Sequence, residues 1–102
     1  MLLSHGNLLA SAAALGGQLG LRPDDRVLLM VPLFHCFGCV VAVLGTYVHG
    51  ATLCALQAFD AGDALRLVHE ERCTIVHGVP TMYSAMLAHR DRARWDTRSL
   101  RA

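Results

Sequence analysis

The chain has 102 residues, of which 54% are hydrophobic and only 17% charged, with a formal net charge of +1. That length holds at most one domain. The near-neutral balance supplies no field to draw in nucleic acid or acidic lipid, and the low charge implies that much apolar surface is meant to be covered by further protein.

Ser4 is placed to cap a helix through Asn7, Leu8, Leu9, Ala12, Leu15 and Leu19, whose apolar residues recur at helical spacing. Gly20 and the Leu21-Arg22-Pro23-Asp24-Asp25 run stop it and turn the chain. Arg26 to Val31 reads as a buried strand, followed by a loop over Pro32–Gly38. Cys39 to Val48 reads as an apolar helix ended by Gly50, and Ala51 to Leu56 as a second strand. Asp60 is placed to cap a helix reaching Arg72, which buries Ala64, Leu65, Leu67 and Val68. Cys73 to His77 gives a third strand, and Pro80 opens a helix through Met82, Tyr83, Met86 and Leu87. The tail from His89 to Arg101 alternates arginine and aspartate and reads as a surface loop.

Strands without polar alternation, separated by helices, imply an α/β fold: a parallel sheet covered by helices on both faces. Three strands are few for a free-standing sheet, so residues 1–102 read as part of a larger domain. The cysteines Cys36, Cys39, Cys54 and Cys73 lack the two close pairs of a structural zinc site and read as core thiols. No metal site is expected, and a reducing, cytoplasmic setting follows. Cys36 to Leu56 is long enough to cross a bilayer by count, but Thr46, Tyr47, His49 and two glycines interrupt it. No transmembrane segment is expected, and a small membrane protein stands as an alternative.

Ligands of parallel α/β sheets bind beyond the carboxyl ends of the strands. Three loops share that rim: Pro32–Gly38, Gln57–Asp63 and Gly78–Thr81. The first offers His35 and Phe37. The third offers Gly78, whose missing side chain lets a ligand approach the backbone, then Pro80 and Thr81 at a helix start. No Gly-rich phosphate loop and no Gly-x-Ser-x-Gly elbow is present in these residues.

Four segments resemble one family in order. Met1-Leu2-Leu3-Ser4-His5-Gly6-Asn7-Leu8 is similar to the stretch that follows its phosphate-binding signature. Pro32-Leu33-Phe34-His35-Cys36-Phe37-Gly38 is similar to its P-L-[FY]-H-x-x-G motif. His49-Gly50-Ala51-Thr52-Leu53 is similar to x-G-A-T-x, and Gly78-Val79-Pro80-Thr81-Met82-Tyr83 to G-V-P-T-[MI]-[YF]. The family is that of the adenylate-forming acyl-CoA synthetases, the AMP-binding ligases, with the medium- and long-chain fatty acyl-CoA synthetases most similar. The resemblance implies ATP, Mg2+ and CoA as cosubstrates and a fatty acid or other carboxylic acid as substrate. It implies His35 at the junction of acyl pocket and adenylate, with Phe37 and Gly38 shaping that junction. Gly78, Val79, Pro80 and Thr81 would line the acyl pocket. The family's phosphate-binding loop, adenine segment, Tyr-Gly-x-Thr-Glu motif and C-terminal-domain lysine are not among these residues. The expectation is therefore no catalytic residue and no activity from this chain alone, and a complementary chain carrying the missing parts is a conceivable partner. A non-catalytic fatty-acid-binding or regulatory fragment is the alternative reading.

Overall fold

The computed structural model describes residues 4–31, 33, 34 and 37–102, the side chain of Phe37 excepted. Helix α1 (His5–Leu19) starts at Ser4, whose Oγ accepts the Asn7 N–H at 3.1 Å. It ends at Gly20, which adopts the left-handed φ of 68° that closes a helix C-terminus and returns its N–H to Gly16 and Gly17. Strand β1 (Arg26–Leu29) is followed by a π-helical stretch, Phe37–Leu44, that runs into the short α2 (Gly45–Val48). Then come β2 (Thr52–Ala55), α3 (Ala61–Glu71), β3 (Ile75–His77), α4 (Pro80–Ala88) and a 3-10 turn at Arg92–Arg94. Asp60 caps α3, its Oδ1 accepting the Asp63 N–H at 3.0 Å.

The strands form one parallel sheet in the order β2-β1-β3. Leu29, at the end of β1, pairs with Ala55 on one side and His77 on the other, so all three strands end level. Side chains alternate across the sheet. Leu28, Met30, Cys54 and Val76 pack with Ala64, Leu65 and Val68 of α3 and Met86 of α4. On the opposite face, Val27 and Ile75 meet Leu21, while Leu29 and Val31 meet Ala42. Both faces are covered over β1 and β3, as unbroken apolar strands require, whereas the edge strand β2 leaves Thr52, Leu53 and Ala55 exposed. Among the described residues no helix is long and apolar enough to cross a membrane, and the apolar run ending at Leu56 is broken by β2.

Two expectations are sharpened. The apolar helix expected over Cys39–Val48 is present, but it begins at Phe37 and is π-helical as far as Leu44; apolar periodicity does not distinguish a four-residue hydrogen-bond spacing from a five-residue one. The tail lies on the surface, with no buried residue, but it is docked there. Trp95 and Leu100 pack against the core, and the His69 and Trp95 rings lie 5.6 Å apart. The Arg101 N–H donates to Thr74 O at 2.8 Å, and the Val76 N–H donates to Ala102 O at 3.1 Å, so the tail lies along β3.

The tail is fastened by a buried carboxylate. Asp25, 1% exposed, accepts the Arg22 N–H at 2.8 Å, the Thr74 hydroxyl at 2.8 Å and Arg101 Nε at 2.9 Å. Arg101 Nη2 completes a bidentate pair with the same carboxylate and donates to Gly20 O at 2.8 Å. The Arg101 side chain, foremost among several donors, holds the Asp25 pKa well below the ordinary carboxylate value, against the opposing effect of burial.

Candidate functional site

The site is built where the level strand ends release their chains. Beyond β1 the chain carries Val31, Leu33 and Phe34; beyond β2 it carries Leu56 and Gln57. β1 and β2 are neighbours, so these two loops face each other across a cavity of about 610 Å³ lined by Leu29, Val31, Leu33, Phe34, Ala55, Leu56 and Gln57. Leu33 and Phe34 are 60% and 93% exposed. Large apolar side chains so exposed at a cavity mouth are unsatisfied in water and mark a contact surface.

Of the residues singled out in the sequence, His35 and the side chain of Phe37 lie outside the described residues. Gly38 is buried in the first turn of the π-helix. A Cβ added at Gly78 would stand 2.7 Å from Met30 Cε. The space left by that absent side chain is thus held by Met30, and Gly78 serves the close approach of the β3 loop to β1. Val79 is 41% exposed, Pro80 occupies the first turn of α4, and Thr81 is exposed beside it. None of these described residues lines the 610 Å³ cavity. Gly78, Val79, Pro80 and Thr81 follow β3, on the opposite side of the central strand from β2 and the cavity.

Leu33 and Gln57 fall in two of the rim loops expected from the sequence, though neither is singled out there; Leu29 and Leu56 lie outside them. The signal was present in the two apolar strand ends, but register alone shows that they adjoin. His77 was also passed over. It is buried at the end of β3, and desolvation pushes its pKa below the ordinary imidazole value, so the ring is neutral at pH 7. Tyr83 of α4 donates its hydroxyl to Val76 O at 3.1 Å, and burial pushes its pKa up. The Cys73 thiol is pushed up to about 12, first by burial and then by Cys54, so it stays protonated and unreactive.

The chemistry of the lining decides what it can hold. Among the described residues it carries no cation, no carboxylate and one amide, Gln57. It does not fit a triphosphate or a magnesium ion, which need charged or oxygen-rich partners. It fits an apolar acyl or aryl group. Among the described residues no group of three or more His, Cys, Asp or Glu converges elsewhere on a metal-sized site.

The AMP-binding enzyme family matches residues 1–102. The chain belongs to this family. A feruloyl-CoA synthase of an Amycolatopsis species is 40% identical over 99 residues, covering 97% of this chain and 20% of the relative. The mitochondrial medium-chain acyl-CoA ligase ACSF2 of Danio rerio is 38% identical over 102 residues, covering 97% and 17%. Among solved structures, the O-succinylbenzoate coenzyme A synthetase MenE of Bacillus subtilis, in complex with ATP and magnesium ion, superposes with a TM-score of 0.83. It is 30% identical, covering 96% of this chain and 20% of that one. The α/β architecture and the acyl-CoA ligase kinship are therefore established. The chain spans about a fifth of the length of these relatives. ATP and magnesium belong to the family; the apolar lining described above provides no seat for either.

Proposed function

We propose that this chain supplies an apolar wall of the acyl pocket in an AMP-forming carboxylate–CoA ligase. The carrying observation is the apolar cavity between the β1 and β2 loops, with Leu33 and Phe34 exposed at its mouth. In this reading the carboxylic acid lays its hydrocarbon or aryl part against Leu29, Val31 and Leu56, and its carboxyl points out along the rim. His35, Phe37 and Gly38 border the junction with the adenylate, and Gly78, Val79, Pro80 and Thr81 bound the β3 side. The substrate is a fatty acid or another carboxylic acid, and the relatives' names cover both aliphatic and aromatic acyl groups.

Adenylation itself needs charge neutralisation of a polyphosphate, which the lining lacks. The reading therefore gives this chain substrate contact and no chemical step. ATP, Mg2+ and CoA act in the assembled ligase, with the remaining parts supplied in the same polypeptide or by a complementary chain. A cytoplasmic setting accords with the free thiols Cys39, Cys54 and Cys73.

The test is a methyl-NMR titration of the 102-residue chain with octanoate and ferulate, alongside ATP–pyrophosphate exchange. Saturable shifts at Leu29, Val31, Leu33 and Leu56 without exchange turnover are expected. Turnover above background would refute the division of labour, and silent rim methyls would refute the pocket.

A further inference from the structure

The chain between α4 and the Arg101 anchor is fastened at two points by imidazoles. His89, at the C-terminus of α4, accepts the Asp91 N–H on its Nδ1 at 3.1 Å. His69, on α3, accepts the Asp96 N–H on its Nδ1 at 3.1 Å. The two bonds bracket the 3-10 turn Arg92–Arg94. A backbone N–H can only donate, so both Nδ1 atoms carry a lone pair and the proton of each ring sits on Nε2. An imidazolium has a proton on both nitrogens and accepts nothing. His49 is the contrasting case. Its Nδ1 faces Gly45 O at 2.9 Å and therefore donates, so protonation of that ring leaves the bond in place.

We propose that residues 89–96 form a pH-sensitive strap, docked while His69 and His89 are neutral and released when both take up a proton. Imidazole is the side chain suited to this, since it ordinarily changes charge between about pH 5 and 8. Each protonation sets a donor against the backbone donor that it formerly accepted. Around His69 stand Trp95, which carries the Arg94 guanidinium 5.1 Å from its ring centre, and Asp96. Its own helix adds Arg66 and Glu70, which pair with each other, and Arg72 follows. Beside His89 stand Arg90 and Asp91, 4.0 Å apart, and Asp60: a Cβ added at Gly62 would lie 3.1 Å from His89 Nε2 and 3.2 Å from Asp60 Oδ1. Asp60 and Asp96 already accept bonds, from the Asp63 N–H and from Arg98, so neither depends on an imidazolium for a partner. The end of the tail is held by other chemistry: Arg101 binds Asp25, and the Ser99 hydroxyl donates to Cys73 O at 2.7 Å. The strap thus opens between two points that acid of this strength leaves fastened, and it carries the chain's one tryptophan, Trp95. The device does not depend on the function proposed above.

The test is a titration of the 102-residue chain from pH 8 to pH 5 by proton–nitrogen NMR. Tryptic cleavage after Arg92 and Arg94 is measured at both ends of the range and normalised to a free peptide of residues 89–98. At pH 8 both Nδ1 atoms are expected to give the signal of an unprotonated nitrogen. On acidification the Asp91 and Asp96 amide protons should shift upfield with the imidazole signals while the Arg101 amide stays. Normalised cleavage should rise roughly tenfold, the combined worth of two exposed hydrogen bonds. Asparagine offers an oxygen acceptor that does not titrate, so His69→Asn with His89→Asn should keep the strap docked and abolish both responses. A protonated Nδ1 on either ring at pH 8 would overturn the assignment without recourse to any variant. Movement of the Arg101 and β3 amides in step with those of Asp91 and Asp96 would overturn it too, pointing to general unfolding through the buried His77. An absent response, or one that persists in the double variant, would do the same.

Discussion

The two ends of the sheet are built on opposite plans. At the amino ends of the strands, Asp25, Thr74, Arg101 and the Arg22 backbone form a closed polar network around a buried carboxylate. At the carboxyl ends, two loops part around a cavity and leave Leu33 and Phe34 in water. The Arg22 N–H, the Thr74 hydroxyl and the Arg101 guanidinium converge on one carboxylate, so that end ties β1 to the residues before β3 and to the tail. The second end keeps apolar area uncovered, so its free energy is available to whatever docks there. In the reading proposed above, stability and ligand contact thus fall to different ends of the same three strands.

Substitutions at the two ends should separate accordingly. Removing the buried carboxylate by Asp25→Ala leaves Thr74 and Arg101 without their acceptor and should cost about 3 kcal/mol, read by urea denaturation. A loss under about 1 kcal/mol, the range of an exposed pair, would break the contrast. Acid should act on the same group. The Asp25 pKa is lower in the folded chain than its ordinary 3.8. Its contribution is therefore complete above that value and is lost as pH falls through the folded value. The unaltered chain should lose stability progressively below about pH 4, and Asp25→Asn should flatten that part of the profile. An unchanged acid slope in the variant would assign the effect to other carboxylates.

A smaller effect is expected between the two ends. Gly78→Ala places a Cβ 2.7 Å from Met30 Cε, the end of a flexible side chain that can move aside, so the cost should stay under about 1 kcal/mol. Combined with Met30→Ala the losses should be less than additive, because the two sites touch; strict additivity in a double-mutant cycle would count against that contact. Smallest of all in stability is Phe34→Ser, within about 0.5 kcal/mol because the ring is already in water. It should nevertheless weaken octanoate binding at the rim. A large stability loss from this variant, with ligand affinity intact, would invert the assignment of the two ends.

The difference between the ends also explains what could be read in advance. Ser4, Gly20, Asp60 and Pro80 announce helix ends by local chemistry, and each stands at the boundary it predicts. The three apolar runs announce buried parallel strands, and the sheet has them. The rim could be located because strand ends share one edge, but its lining could not: that Leu29 and Leu56 border one cavity depends on β2 rather than β3 flanking β1 on that side. The polar network was illegible for a related reason. Alternating arginine and aspartate look solvated wherever they occur, and nothing near Arg101 in the sequence points to Asp25. The π-helical start of the segment after β1 hides within a run that any helix would accept.

The Asp25–Arg101 pair joins residues 76 positions apart, and this separation orders events in time. As the chain emerges during synthesis, α1, β1, β2 and α3 are complete before Arg101 exists. Until then Asp25 keeps its water, since an unpaired carboxylate resists burial. Closing so long a loop is entropically dearer than closing any helix turn and contributes to slow folding. The N-terminal half is therefore expected to wait, loosely ordered, for the arginine that lets its carboxylate go under.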